Sequence, residues 1–197
     1  MSTERIESII DKFYKKYPNF GTIGFIDLET TGFEKTARLI EIGMIIVVPG
    51  FEKNEYHEFE TLINPGVEIR DKITEVTGIT NAELKDAPGE DEAYMKFINW
   101  YKKFNPNKLV AHNAAFDRGK LQNNLLRLGY DLGNSLPDFI CTMQLSRRYN
   151  KEVANDQLKT IAEYYGFKNL QAHRALADTE TCAYAFGRLM TENDYVS

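Results

Sequence analysis

Cysteine is scarce. The chain has two in 197 residues, Cys141 and Cys182, and neither belongs to a C-x-x-C pair. That spacing argues against a cysteine-built zinc site, and a chain of this length needs no disulfide framework to hold its core. Long apolar runs are missing as well. The opening segment, MSTERIESIIDKFYKKYPNF, is charged throughout and lacks the apolar stretch of a signal peptide. No run approaches the roughly 20 apolar residues of a membrane span. Positive charge is in deficit: 24 Lys and Arg against 29 Asp and Glu leave a net charge of −5. That is not the balance of a protein that coats nucleic acid non-specifically. It leaves room for a nucleic-acid enzyme with a local basic surface, and it suits a site that needs several carboxylates. Repeats and low-complexity tracts are also absent. These absences together lead us to expect a cytoplasmic, reducing setting without membrane contact.

The pattern that is present is that of a folded α/β domain. Residues 4–17 place Ile6, Ile9, Ile10, Phe13 and Tyr17 at helical spacing, and Pro18 ends the helix. The spacing fits a helix packed on the flank of a domain, with a tether for a partner as the alternative, so residues 1–19 are expected to form an N-terminal helical extension and residues 20–197 the domain. Strands are expected at 22–29, 38–48 and 55–64, close enough in sequence to meander antiparallel. A short helix and turn should follow over 65–80, and a helix over 89–104 that buries Ala93, Phe97, Trp100, Tyr101 and Phe104. Then come a short strand within 105–113, a helix over 114–129 stopped by Gly129, and a fifth strand over 136–142. Three more helices, around 143–149, 156–166 and 174–190, complete the chain. Three meandering strands followed by strands alternating with helices imply a mixed sheet flanked by helices.

The first strand, GFIDLETTG, contains an anomaly. Asp27 and Glu29 lie two residues apart in an otherwise apolar strand and therefore on one face. Two like charges there need compensation, because burying an ion costs several kcal/mol. No basic residue lies nearby in sequence, and a hard divalent cation suits carboxylate oxygens. Two acids rarely suffice, so others should converge. In LVAHNAAFDRGKL, Asp117 falls near the start of a helix after a strand, where the helix dipole steadies a carboxylate. In QAHRALADTETCAYAF, His173 precedes Asp178 by five residues. Within one helix the two would point roughly 140° apart. They converge if His173 lies in the loop before the helix and Asp178 on its first turns.

These three blocks, in this order, resemble those of the DEDDh 3′–5′ exonucleases, the DnaQ-like group with an RNase H-like fold. The matching segments are FIDLETTG with Asp27 and Glu29, LVAHNAAFD with Asp117, and HRALADT with His173 and Asp178. RLIEIGMI, VTGIT and DQLKTIAEYYG match as well, and the likeness spans about residues 20–190. It is nearest to proofreading domains of the DNA polymerase III epsilon type. It implies an RNase H-like mixed five-stranded sheet and hydrolysis of phosphodiester bonds from 3′ ends, releasing nucleoside 5′-monophosphates. It further implies two divalent cations, Mg²⁺ or Mn²⁺, held by Asp27, Glu29, Asp117 and Asp178, with His173 as general base. By the same resemblance, backbone around Leu28, Thr30 and Thr31 holds the terminal nucleotide, and His112, Asn113 and Phe116 line the cleft. Single-stranded DNA is the favoured partner, with RNA as the alternative and a DNA polymerase as a candidate associate. Arg118, Lys120, Arg147, Arg148 and Arg174 are candidates for guiding the strand. One departure stands out: many relatives have Asp-Thr after the fifth strand, where this chain has Cys141-Thr142.

Three other readings compete. IDLETTG is similar to the first phosphate loop of sugar kinases and heat-shock ATPases, but Glu29 stands where that loop needs glycine for close backbone approach. Those proteins also need two related domains. A non-catalytic module binding a nucleic-acid end or a polymerase should have lost one of the five groups, and none is lost. An exoribonuclease like RNase T or oligoribonuclease differs through a few contacts to the 2′-hydroxyl.

Overall fold

The computed structural model describes residues 2–169 and 171–193. Its centre is a five-stranded sheet built from β1 (Ile23–Thr30), β2 (Leu39–Val48), β3 (Glu55–Leu62), β4 (Lys108–Ala111) and β5 (Asp138–Cys141), in the order β3-β2-β1-β4-β5. The first three strands form an antiparallel meander, while β4 and β5 pair parallel to β1 and to each other. This is the expected RNase H-like mixed sheet. The helices are α1 (Ser2–Lys16), α2 (Asp71–Thr77), α3 (Asn81–Asp86), α4 (Glu90–Phe104), α5 (Ala114–Arg127), α6 (Thr142–Tyr149), α7 (Leu158–Tyr164) and α8 (Ala175–Glu192). Among the described residues no helix is long and apolar enough to cross a membrane.

The alternation of β1 sorts the core into two layers. Ile23 and Phe25 join a cluster with α1, α6, α7 and α8, including Phe13, Leu145, Ile161 and Phe186. Ile26 and Leu28 join the opposite cluster with α4 and α5, including Phe97, Tyr101, Leu121 and Leu125. The helix α1 is built into the first layer. Its Ile6, Ile10 and Phe13 are buried, and the Phe13 ring lies 5.0 Å from that of Phe186. Gly187 lets it approach, since a methyl group there would stand 2.9 Å from Ile9 side-chain carbons.

Two local features escaped the sequence pattern. The segment after β3 forms two short helices rather than one, the second opened by a capping box in which Thr80 and Glu83 satisfy each other's backbone N–H groups. In addition, the β1–β2 register breaks between Glu29 and Thr30, which face Glu41 and Leu39 respectively. The extra residue, Ile40, turns into a satellite cluster with Ile69, Ile73, Ile79 and Leu84. Such bulges re-aim side chains and are frequent beside active sites.

Candidate active site

Sheet order determines where a site can form. The chain leaves β1 toward β2 and β3 on one side and returns to β4 and β5 on the other, so the strand order reverses between β1 and β4. Ligands in open α/β sheets sit outside the carboxyl ends of strands at such a switch point. Here the two strands pair only over Ile23–Phe25 and Lys108–Val110. Beyond Phe25 they part, and Asp27 and Glu29 continue the Ile23/Phe25 face into the gap. From β4, His112 and Asn113 turn into α5, with Asn113 in the left-handed region at φ 59°. That tight turn sets Asp117, on the first turn of α5, against the gap. From the α8 side, Asp178 arrives on the first turn, and His173 lies in the turn just before the helix.

The groups converge. Ligand atoms of Glu29, His173 and Asp178 all lie within 4.8 Å of one another. Asp27 sits within the electrostatic reach of both Asp117 and Asp178. The His173 backbone N–H donates to Asp178 Oδ2 at 2.9 Å, and Asn169 Nδ2 donates to Oδ1 at 2.7 Å. These two bonds aim the carboxylate. Desolvation raises all four acids. Asp27 is pushed well up by burial and then by the charges of Asp117, Asp178 and Glu41. Glu29 is raised to about 9, by burial first and then by Asp27, Asp178 and Glu41. Burial also raises Asp117, with the Asp117 and Leu28 backbone N–H groups working against it. Asp178 is raised by burial, which the His173 N–H partly offsets. Among the described residues no lysine or arginine forms an ion pair with any of the four; Arg174 alone lowers Glu29, and it is already paired with Glu41.

The expected substrate-contact residues divide. His112 and Asn113 line a cleft of about 700 Å³ together with Met143, Arg147, His173 and Asp178. His112 is half-buried, its Nδ1 lies 2.9 Å from Thr142 Oγ1, and desolvation lowers its pKa. Leu28 is core, and the hydroxyls of Thr30 and Thr31 are engaged with Gly32 O and the Arg38 N–H. Phe116 does not line that cleft: its ring lies 6.3 Å from the exposed Phe33 and 5.0 Å from Lys120 Nζ. Three of the candidate guiding cations are otherwise occupied, Arg147 by Asp156 at 2.7 Å. Lys120 is only 4% exposed, because its ammonium donates to the carbonyls of Gly32 and Glu34. Arg174 is bound by Glu41.

Glu41 is the residue the sequence reading passed over. It is fully buried in β2, opposite Glu29, and belongs to the electrostatic surroundings of three of the site's acids. The signal was available, since an acid inside LIEIGMIIVV is the same anomaly as Asp27 inside β1.

A mixed α/β sheet carrying a knot of desolvated carboxylates at its switch point defines a class of domain suited to phosphodiester chemistry. The comparisons specify it. A family model described as exonuclease (RNase_T) matches residues 25–186. The chain belongs to this exonuclease family, the DnaQ-like DEDDh group whose motifs it carries. Similar curated proteins include the PolC-type DNA polymerase III of Caldanaerobacter subterraneus subsp. tengcongensis, 34% identical over 86% of this chain and 12% of its own length. That of Staphylococcus haemolyticus is 35% identical over 84% and 11%. The chain thus spans about an eighth of these relatives. Exonuclease X in complex with 5′ overhanging duplex DNA shares the fold, with TM-score 0.62 at 22% identity over 88% of this chain and 94% of that one. So does the nuclease domain of 3′hExo, a DEDDh family member bound to rAMP, with TM-score 0.72 at 17% identity over the same shares.

Proposed function

We propose that the chain hydrolyses phosphodiester bonds from the 3′ end of nucleic acid, releasing nucleoside 5′-monophosphates, with single-stranded DNA as the favoured substrate. The observation that carries this reading is the approach of Glu29, His173 and Asp178 within 4.8 Å of one another, with Asp27 and Asp117 in electrostatic reach of them. The polymerase III relatives support a DNA substrate and association with a polymerase.

The donor set fits divalent cations. Four desolvated carboxylates with no basic partner of their own make a hard-oxygen site suited to Mg²⁺ or Mn²⁺, and Asp27, Glu29, Asp117 and Asp178 would hold two such ions. When bound, the ions supply positive charge to the scissile phosphate and to the attacking water. The chain's own residues do the rest. A ring nitrogen of His173 takes the proton from the water as the general base. Asp178, fixed by Asn169 and the His173 N–H, faces that imidazole. His112 and Asn113 border the space for the terminal nucleotide.

The test is hydrolysis of 5′-labelled single-stranded DNA, duplex DNA and RNA with Mg²⁺, Mn²⁺ or EDTA. A stepwise ladder from the 3′ end with metal and none with EDTA is expected, strongest on single-stranded DNA. A stronger ladder on RNA selects the exoribonuclease alternative. His173→Ala is expected to slow the reaction by about 10²- to 10⁴-fold with Mn²⁺ affinity largely kept. An unchanged rate removes His173 from the role of base.

A further inference from the structure

We propose that the pair of buried Glu41 and half-buried Arg174 is a positioning device for the imidazole of His173; the inference rests on the exonuclease reading above. Glu41 Oε1 accepts from Arg174 Nε at 2.9 Å and Nη2 at 2.6 Å, and Oε2 accepts the Ala175 N–H at 2.8 Å. One carboxylate in mid-sheet thus grips both the residue that precedes α8 and the first residue of the helix. Two residues along β2, Gly43 receives the helix itself: a methyl group there would overlap the Ala175 and Leu176 backbone, and Thr179 Oγ1 donates to the Gly43 carbonyl at 3.0 Å. Glu29 is the cross-strand neighbour of Glu41. The same pair of strands therefore carries Glu29 and anchors the turn that presents His173.

That turn needs holding. His173 has φ 67°, a left-handed conformation that a non-glycine residue adopts only when its surroundings impose it. Its neighbour Arg174 supplies the constraint through a planar two-point fork, which lysine cannot reproduce. As a stabiliser the pair gains little, because the desolvation of the fully buried Glu41 offsets much of its attraction to Arg174. It does impose one geometry, and at Glu29 the charge of Arg174 offsets part of what Glu41 adds. Arg174 makes its hydrogen bonds to Glu41 and none to the carboxylates proposed to bind metal; its charge reaches Glu29, so the Mn²⁺ titration separates that field from the positioning of His173.

The experiment is a double-mutant cycle on the full chain, with single-turnover rates at saturating labelled DNA, KM, Mn²⁺ titration and thermal melting. In the wild-type background Arg174→Ala should lower kcat by about 10- to 100-fold, the scale of a misplacement near 1 Å, with KM and Mn²⁺ affinity changed less than about threefold. In the His173→Ala background the same substitution should cost less than about threefold, because the group it positions is gone. Glu41→Gln, nearly isosteric, should show the same dependence on His173. In the metal-free protein the His173 ring resonances should move toward those of a free imidazole in both variants. Equal losses in both backgrounds, or a loss confined to KM, would overturn the proposal. An inactive wild-type chain would instead sink the exonuclease reading, leaving the ring resonances as the independent check on the clamp.

Discussion

At the scale of single residues, the site is an electrostatic debt that the fold alone does not settle. Glu29 titrates near 4.5 in an unfolded chain and near 9 when folded, because burial and neighbouring acids oppose its charge. Between those values the folded metal-free protein holds a proton that the unfolded chain has released. The associated stability is complete below the unfolded pKa and is lost as pH rises through the folded one. The melting temperature in EDTA should therefore fall from roughly pH 5 to pH 9, with Asp178, also raised, contributing in the same direction. Mg²⁺ or Mn²⁺ competes with those protons, so added metal should stabilise most at the alkaline end. Asp27→Asn removes a desolvated charge. It should raise the EDTA melting temperature at about pH 8 and abolish hydrolysis, the trade expected where function strains a fold. Scanning calorimetry over that pH series checks both. A variant melting below wild type in EDTA at that pH contradicts the electrostatic reading.

At the scale of elements, the carboxylates meet because two strands and two helix starts are held in register, and β2 does the holding. Gly43→Ala should push the start of α8 off the sheet, since the new methyl meets backbone rather than a flexible side chain. Overpacking of this kind costs about 1–3 kcal/mol, and the displaced His173 and Asp178 should lower the rate by about 10- to 100-fold. Denaturant melts and the ladder assay measure the two losses, and an unchanged rate would mean that α8 finds its place without β2. The same elements show what the sequence discloses. Alternation in β1 puts Asp27 and Glu29 on one face, and convergence of His173 with Asp178 requires a loop before the helix and a place on its first turns; the structure has both. The bulge at Ile40 was hidden because β2 is buried on both faces except at its last residue. A continuous apolar run carries no period from which to read a register. Lys120 reads as a surface cation because lysines usually are; its partners are carbonyls of a turn 88 and 86 residues away. Glu41 announced itself as an acid in an apolar strand, but its partner became visible only with the sheet assembled.

At the scale of the molecule, α1 decides whether the site has a floor. It covers α8, whose first turn carries Asp178 and whose far end packs Phe186 and Gly187 beneath Phe13, Ile9 and Ile10. Polar ties reinforce the contact: Lys16 Nζ donates to the Asn193 carbonyl at 2.7 Å, and Tyr17 OH donates to the Met190 carbonyl at 3.3 Å. The layer beneath also holds Phe25, Ile45 and Val47 of the sheet. We infer that residues 1–19 act as part of the cooperative unit. Phe13→Ala should cost about 3–5 kcal/mol, a large share of the roughly 5–15 kcal/mol that holds a domain together, and lower the melting temperature by on the order of 10 °C. Below that temperature its rate should stay near wild type, since α1 supplies no group to the site. Deleting residues 1–19 should do more. It bares the outer face of α8 to water, so the truncated chain should bind a hydrophobic dye, lose its cooperative melt and lose hydrolysis although all five site residues remain. A truncated chain that melts and cuts like the full one would instead make α1 an appendage, and the packing of Phe13 against Phe186 would then contribute little to the fold.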